Sequence, residues 1–193
     1  MNQGKMITTG VLIFFGLSLL LTFSNATFVT IDAGEAGVLF KKFGGGLEKD
    51  KVYGQGFHVI APWNTLFVYD VRLKEHFEQM QVLSKNGLTI QVDLSCRYRP
   101  EESKIGYLHE TVGEKYLDRI MIPEIRSATR EVIGKYLPEE LYSSKREAIQ
   151  DEIYQRTSEA INKKDILLDA ILIREVVLPT SLQEAIERKL KQE

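Results

Sequence analysis

The chain has 193 residues, 44% hydrophobic and 27% charged, with a formal net charge of −2. That is ordinary globular composition, and so even a charge balance offers no basic face for nucleic acid. A single cysteine, Cys96, excludes an internal disulfide framework and any CxxC zinc or redox site.

No charged residue stands between Lys5 and Asp32. As a helix this stretch would span about 39 Å at about 1.5 Å per residue, more than the roughly 30 Å hydrocarbon core of a bilayer. Its densest apolar part supplies Val11, Leu12, Ile13, Phe14, Phe15, Leu17, Leu19, Leu20, Leu21 and Phe23 as anchor candidates. Ser24-Asn25-Ala26 follows, a small-x-small pattern that signal peptidase accepts. The residue pattern therefore leaves two readings open: an anchor retained over residues 1–27, or a leader cut after Ala26. A buried core helix fits poorly, because the segment has no polar face. Beyond residue 31 the chain is long enough for one compact domain or two small ones.

The segment FVTIDAGEAGVLFKKFGG reads as two short strands around a turn at Ala33-Gly34-Glu35, with Val38 and Phe40 alternating with Leu39 and Lys41. Gly44 to Gly56 reads as a glycine-rich loop, and no G-K-[S/T] follows to make it a phosphate cradle. Extended chain continues from Phe57, is broken at Pro62, and then places Phe67, Tyr69, Val71 and Leu73 on one face. In LTIQVDLSCRYR, Leu88, Ile90, Val92, Leu94, Cys96 and Tyr98 alternate with polar residues, so one face is buried and one wet. Asn86-Gly87 before it is a strong hairpin signal. Residues 66–83 and 88–99 are thus expected to pair antiparallel, with Cys96 a packed thiol.

Helices follow. Tyr116, Leu117, Ile120 and Met121 form one stripe that Pro123 interrupts, and Ile125, Ala128, Val132 and Ile133 continue the pattern to Leu137. Ser144 and Glu147 make a capping box. The helix behind it is expected to bury Ala148, Ile149, Ile153, Ala160 and Ile161. DILLDAILIREVVLP reads as a strand apolar on both faces, hence covered on each side near the middle of a sheet. Ser181 and Glu184 form a second capping box, and Leu182, Ile186 and Leu190 make a four-residue stripe.

Reactive chemistry is not visible. His58, His76 and His109 are isolated, His76 near the end of an alternating strand and His109 in a polar loop entering a helix. There is no HExxH, GxSxG or GxGxxG after a strand. Glu101-Glu102 and Glu139-Glu140 suit the positive N-termini of helices. Arg97 and Arg99 lie on the wet strand face, as solvated charges or, alternatively, as contacts for a lipid headgroup or a partner carboxylate. No residue stands out as catalytic, and no cofactor or metal site is indicated.

The order of segments carries more. VTIDAGEAGVLFKKFG, GQGFHVIAPW, VYDVR, LSKNGLTIQVDLSCRYRP, IPEIRSATREVIGKY, LPEELYSSKREAIQDEI and DILLDAILIREVVLPTSLQEAIERKLKQE together resemble the SPFH or Band 7 superfamily, most closely its prohibitin branch. The resemblance covers residues 28–193. It implies an α+β fold: an N-terminal transmembrane helix over 1–27, a twisted, mainly antiparallel sheet packed with helices over 28–180, and the start of a coiled-coil-like helix over 181–193. It implies a membrane-anchored scaffold, not an enzyme, with no cofactor. The implied partners are the lipid bilayer, many copies of itself in rings or cages, and a membrane AAA protease whose access to substrates is restrained.

On that reading the N-terminal segment is retained. The protein is single-pass in a bacterial inner membrane or an organellar equivalent. Lys41, Lys42, Lys49 and Lys51 outnumber Lys5 and would hold the domain in the cytoplasm, but large domains cross largely regardless of charge. The relatives imply the non-cytoplasmic side. Phe57 and Trp63 become candidates for membrane-surface contact, with a core plug behind Pro62 the plain alternative for Trp63. Leu182, Ile186 and Leu190 become candidate oligomer contacts. Relatives continue past the position of Glu193 in a long charged helix, so 181–193 is expected to begin a longer one. The rival readings are a secreted soluble binding module released by cleavage after Ala26, and an enzyme with a site assembled from distant residues.

Overall fold

The computed structural model describes residues 8–18, 28–142 and 145–178. It divides into two compact units, residues 1–70 and 71–193. The first holds helix α1 (8–18) and strands β1 (Phe28–Ile31), β2 (Glu35–Lys41), β3 (Gly46–Leu47), β4 (Gly56–Val59) and β5 (Thr65–Asp70). At about 1.5 Å per residue α1 is about 16 Å long. Among the described residues no helix is long and apolar enough to cross a membrane. Leu19, Leu20, Leu21 and Phe23 lie outside the described residues.

The two strands expected around Ala33-Gly34-Glu35 are present, and the turn closes through Glu35 N donating to Asp32 O at 3.1 Å. Gly34 takes φ 83°, a left-handed conformation that favours glycine. The strands do not pair with each other. β1 pairs antiparallel with β4, from Phe28 opposite Val59 to Ile31 opposite Gly56. β2 is central between β3 and β5. Val38 and Leu39 are both buried while Phe40 is exposed, so the expected alternation fails in β2. A central strand is covered on both faces, and only its end reaches solvent. The 44–56 segment is more than a loop. β3 forms within it, and Tyr53 exchanges backbone hydrogen bonds with Gly37 at 2.7 and 2.8 Å.

The second unit contains β6 (Lys74–Leu83), β7 (Thr89–Pro100), α2 (Ile105–Thr111), α3 (Ile122–Ile133), α4 (Arg146–Asn162) and β8 (Ile166–Val177). The long strand expected over 66–83 is two strands. Residues 71–73 separate β5, which pairs with β2, from β6, which pairs with β7. The buried parity also reverses across the break: Tyr69 is buried in β5, Leu73 is exposed, and the even-numbered Glu78, Met80 and Val82 are buried in β6, so the face expected over Phe67, Tyr69, Val71 and Leu73 does not continue. The hairpin at Asn86-Gly87 is as expected. Ser84 N donates to Leu88 O at 2.9 Å, and Gly87 has φ 78°. Ile90, Val92, Leu94, Cys96 and Tyr98 are all buried.

Burial holds Cys96 as the thiol, with its pKa pushed up to about 11. Cys96 in the folded chain is therefore expected to resist iodoacetamide at neutral pH and to react once denatured. Quantifying labelling by intact mass with and without denaturant checks this.

β8 lies at an edge of the three-stranded sheet β6-β7-β8, not near its middle. Its doubly apolar appearance has another cause. The register with β7 slips between Asp93 and Leu94 and between Arg97 and Tyr98, each time leaving one extra residue in β8, Arg174 and Asp169. Each bulge shifts the parity of the buried series, which runs Ile166, Leu168, then Ile171, Ile173, then Val176. The extra residues are charged and find partners: Asp169 lies 3.2 Å from Arg97, and Arg174 2.9 Å from Glu75.

Pro123 does not interrupt a helix. A π-helical turn over Leu117–Met121 leads into α3, and Pro123 occupies its first turn, where a missing N–H is tolerated. α3 ends at Ile133 rather than Leu137, with Gly134 at its cap, and Pro138 opens a 3-10 turn over Pro138–Tyr142. Glu102 and Glu139-Glu140 sit in first turns of 3-10 helices. The first capping box includes Ser144, outside the described residues, as do Ser181 and Glu184. α4 buries Ile149, Ile153, Thr157 and Ile161, a strict four-residue stripe. Ala148 is exposed and Ala160 half-buried, contrary to expectation, because both lie off that stripe. Thr157 takes a core position because its hydroxyl donates to Ile153 O at 2.8 Å.

Candidate membrane-facing surface

The antiparallel register of β1 and β4 places Phe28, Thr30, Phe57 and Val59 on one face of a two-stranded ribbon. That face carries no charge. Phe57 is 64% exposed, and Phe28 and Val59 are exposed beside it. The Phe28 and Phe57 rings stack with centroids 5.6 Å apart. The opposite face turns inward: Ile31 is buried, and His58 packs edge-on against Tyr53 at 5.5 Å while its Nε2–H donates to Gly54 O at 2.7 Å. His58 is thus satisfied structurally.

A second aromatic pair stands in the same unit. Phe43 and Trp63 meet edge-to-face at 6.2 Å, and Trp63 is 54% exposed. The core-plug alternative for Trp63 is therefore set aside. The turn that presents it is fixed by Asn64 N donating to Ala61 O and by Asn64 Oδ1 accepting from Lys42 N at 3.3 Å. Cations border the aromatics: Lys42 is exposed, Lys51 lies 4.5 Å over the Tyr53 ring, and Lys41 pairs with Glu48. In α1, Val11, Leu12, Ile13, Phe14, Phe15 and Leu17 are all exposed, so the helix is apolar on every side.

The other two histidines lie in the second unit. His76, at the start of β6 rather than near a strand end, lies 3.3 Å from Glu78. Glu78 is buried and accepts from Arg126 Nε at 2.7 Å, tying β6 to α3. His109 sits in the last turn of α2, not in a loop, and burial pushes its pKa down. Among the described residues no three His, Cys, Asp or Glu are grouped to hold a metal. Leu182, Ile186 and Leu190 lie outside the described residues.

The sequence reading named Phe57 and Trp63 but missed Phe28, Phe43 and Val59. The alternation in FVTI and GFHV was available, yet only the pairing of two segments far apart in the chain makes them one face. These features define an α+β domain with antiparallel sheets, helices and an exposed apolar surface. The chain belongs to the SPFH domain / Band 7 family, whose model matches residues 29–193.

Its relatives include prohibitins, as the resemblance implied. It is 28% identical to "Prohibitin-7, mitochondrial" of Arabidopsis thaliana over 166 residues, covering 86% of this chain and 59% of the relative. It is 27% identical to "Prohibitin-4, mitochondrial" of the same plant over 179 residues, covering 91% and 62%. "Prohibitin 1" of Mus musculus is 24% identical over 178 residues, covering 91% and 64%. The chain thus spans about three-fifths of the length of these relatives.

Proposed function

We propose that this chain is the membrane-anchored subunit of an oligomeric scaffold. The observation that carries the reading is the uncharged, solvent-facing ribbon of Phe28, Phe57 and Val59, which begins five residues after Phe23, the end of the apolar segment. An anchor in lipid holds such a ribbon at the bilayer surface, where aromatic side chains with nearby lysines are favourable. Residues 11–23 act as the anchor, and Phe57 and Trp63 as surface contacts. The domain lies on the non-cytoplasmic side.

Copies held in one plane need only weak lateral contacts, since confinement raises their effective concentration. Leu182, Ile186 and Leu190 supply one such contact when the helix beginning at 181 continues. Rings or cages of this kind would enclose a patch of membrane and restrain a membrane AAA protease; no catalytic role for the chain is part of the proposal. Support comes from family membership, from prohibitin relatives and from the exposed aromatics.

The test is the intact mass and detergent-extracted size of membrane-fraction protein, with co-purifying proteins identified. Retention of residues 1–27 in a high-mass assembly is expected. Ser24-Asn25-Ala26 favours the second reading, a secreted binding module. A soluble monomer whose mass corresponds to a start at Thr27 would establish that module and end the scaffold reading.

A further inference from the structure

The sheet of the second unit has two unlike edges. The outer edge of β8 is closed by side chains. Tyr142 OH donates to Val176 O, Arg146 Nη2 donates to Ile173 O at 2.7 Å and to Arg174 O at 3.2 Å, and Tyr154 OH donates to Leu168 O at 3.3 Å. Gln150 Oε1 accepts from Ile173 N at 3.1 Å. These four side chains follow one another at four-residue spacing, so a single stripe bonds backbone groups of Leu168, Ile173, Arg174 and Val176.

The other edge, β6, pairs with no strand on its outer side among the described residues. From Glu75 to Leu83 its outer backbone groups have no hydrogen-bond partner among the described residues. β6 is ten residues long, contains no proline, and runs in unbroken register with β7, so it has no bulge. Its acidic side chains are neutralised within the unit, Glu75 by Arg174 and Glu78 by Arg126. Phe77 stands on it 65% exposed. A groove of about 310 Å³ lined by Gln81, Val82, Leu83, Thr89 and Arg130 runs beside its last residues. An edge of this kind is a template for another strand.

We propose that the β6 edge pairs antiparallel with the β6 edge of a second copy, making a continuous six-stranded sheet about a two-fold axis at Phe77. The occupant follows from the asymmetry. Head-to-tail pairing of β6 on β8 is obstructed by the side chains that close β8, so between copies of this sheet the edge left to meet β6 is β6 itself. Side-chain chemistry selects the register. Directly opposed residues share a face, so the axis falls on a residue. On Glu78 it would oppose two carboxylates, which is destabilising, and on Gln79 it would oppose His76 to Val82. On Phe77 it stacks the two phenyl rings, sets His76 opposite Glu78 in both directions, and sets Glu75 opposite Gln79. This adds a contact between copies to the scaffold reading without depending on it.

Cysteine cross-linking of the full chain in native membranes tests the pairing, with buried Cys96 silent in the background. In Phe77→Cys the two new thiols face each other with Cβ atoms about 4.5–5.5 Å apart, close enough to bridge after slight movement. In Gln81→Cys they lie about 27 Å apart, eight residue steps of about 3.4 Å. Mild oxidation is expected to convert Phe77→Cys to a disulfide dimer at least about tenfold faster than Gln81→Cys. Equal rates, or no dimer from Phe77→Cys, would overturn the pairing even where the protein still runs as a large assembly. A mature soluble form would instead count against the anchor alone, since the second unit keeps its edge with or without residues 1–27.

Discussion

Stripped of residues 1–27, the chain is expected to keep measurable binding to liposomes, and to lose it when Phe28, Phe57 and Trp63 are all replaced by serine. The ribbon face and the Trp63 turn remain after the deletion, and each aromatic that moves from water into the interface contributes about 1.5–3 kcal/mol when fully buried. Partial burial reduces that figure, but even 1.4 kcal/mol per site is about tenfold in affinity, so three replacements together should lower binding by about a thousandfold. Fold stability should stay within about 0.5 kcal/mol for each, because the side chains already face solvent. Flotation of both proteins with vesicles, alongside their melting curves, reads the two effects separately. Unchanged flotation of the triple variant would show that the aromatics take no part in binding. In the full-length chain the same replacements should leave membrane association intact, since the anchor alone far outweighs them.

The largest stability loss is expected from Ile153→Ala. Ile153 is fully buried on the stripe by which α4 packs between α3 and β8. Truncation removes three methyl-sized groups from a close-packed site and leaves a cavity, at a cost of about 2–5 kcal/mol. For a domain of this size that is a fall in melting temperature of roughly 8 °C or more. Thr157→Val, one turn along the same stripe, should change stability by no more than about 1 kcal/mol. It keeps the shape and removes a hydroxyl that donates within its own helix, to Ile153 O. Thermal melts by circular dichroism compare the two. A Thr157→Val loss as large as that of Ile153→Ala would mean the hydroxyl has a core role beyond its helical bond.

Much of the second unit was legible in the residues themselves. Six alternations and an Asn-Gly turn were enough to place the β6–β7 hairpin and to bury Cys96, because a one-residue slip would turn every apolar side chain into water. The helical stripe of Ile149, Ile153 and Ile161 was equally plain, as was the order of segments that marks the family. What these features share is that neighbours in sequence carry the signal.

Partner choice was a different matter. Nothing local tells β5 to bond β2 while β6 bonds β7, and the switch of the buried parity from Tyr69 to Met80 and Val82 appears only once the two strands are placed in different sheets. Two bulges made an edge strand look like a central one, since Asp169 and Arg174 each reverse which parity is buried. Phe28 and Phe57 become one surface only through the β1–β4 register, and the closing of β8 by Tyr142, Arg146, Gln150 and Tyr154 depends on a helix laid along an edge. Periodicity specifies which face of an element meets the core, whereas backbone groups accept any strand or side chain that presents a donor or acceptor at the right distance. Only the tertiary arrangement decides which one does.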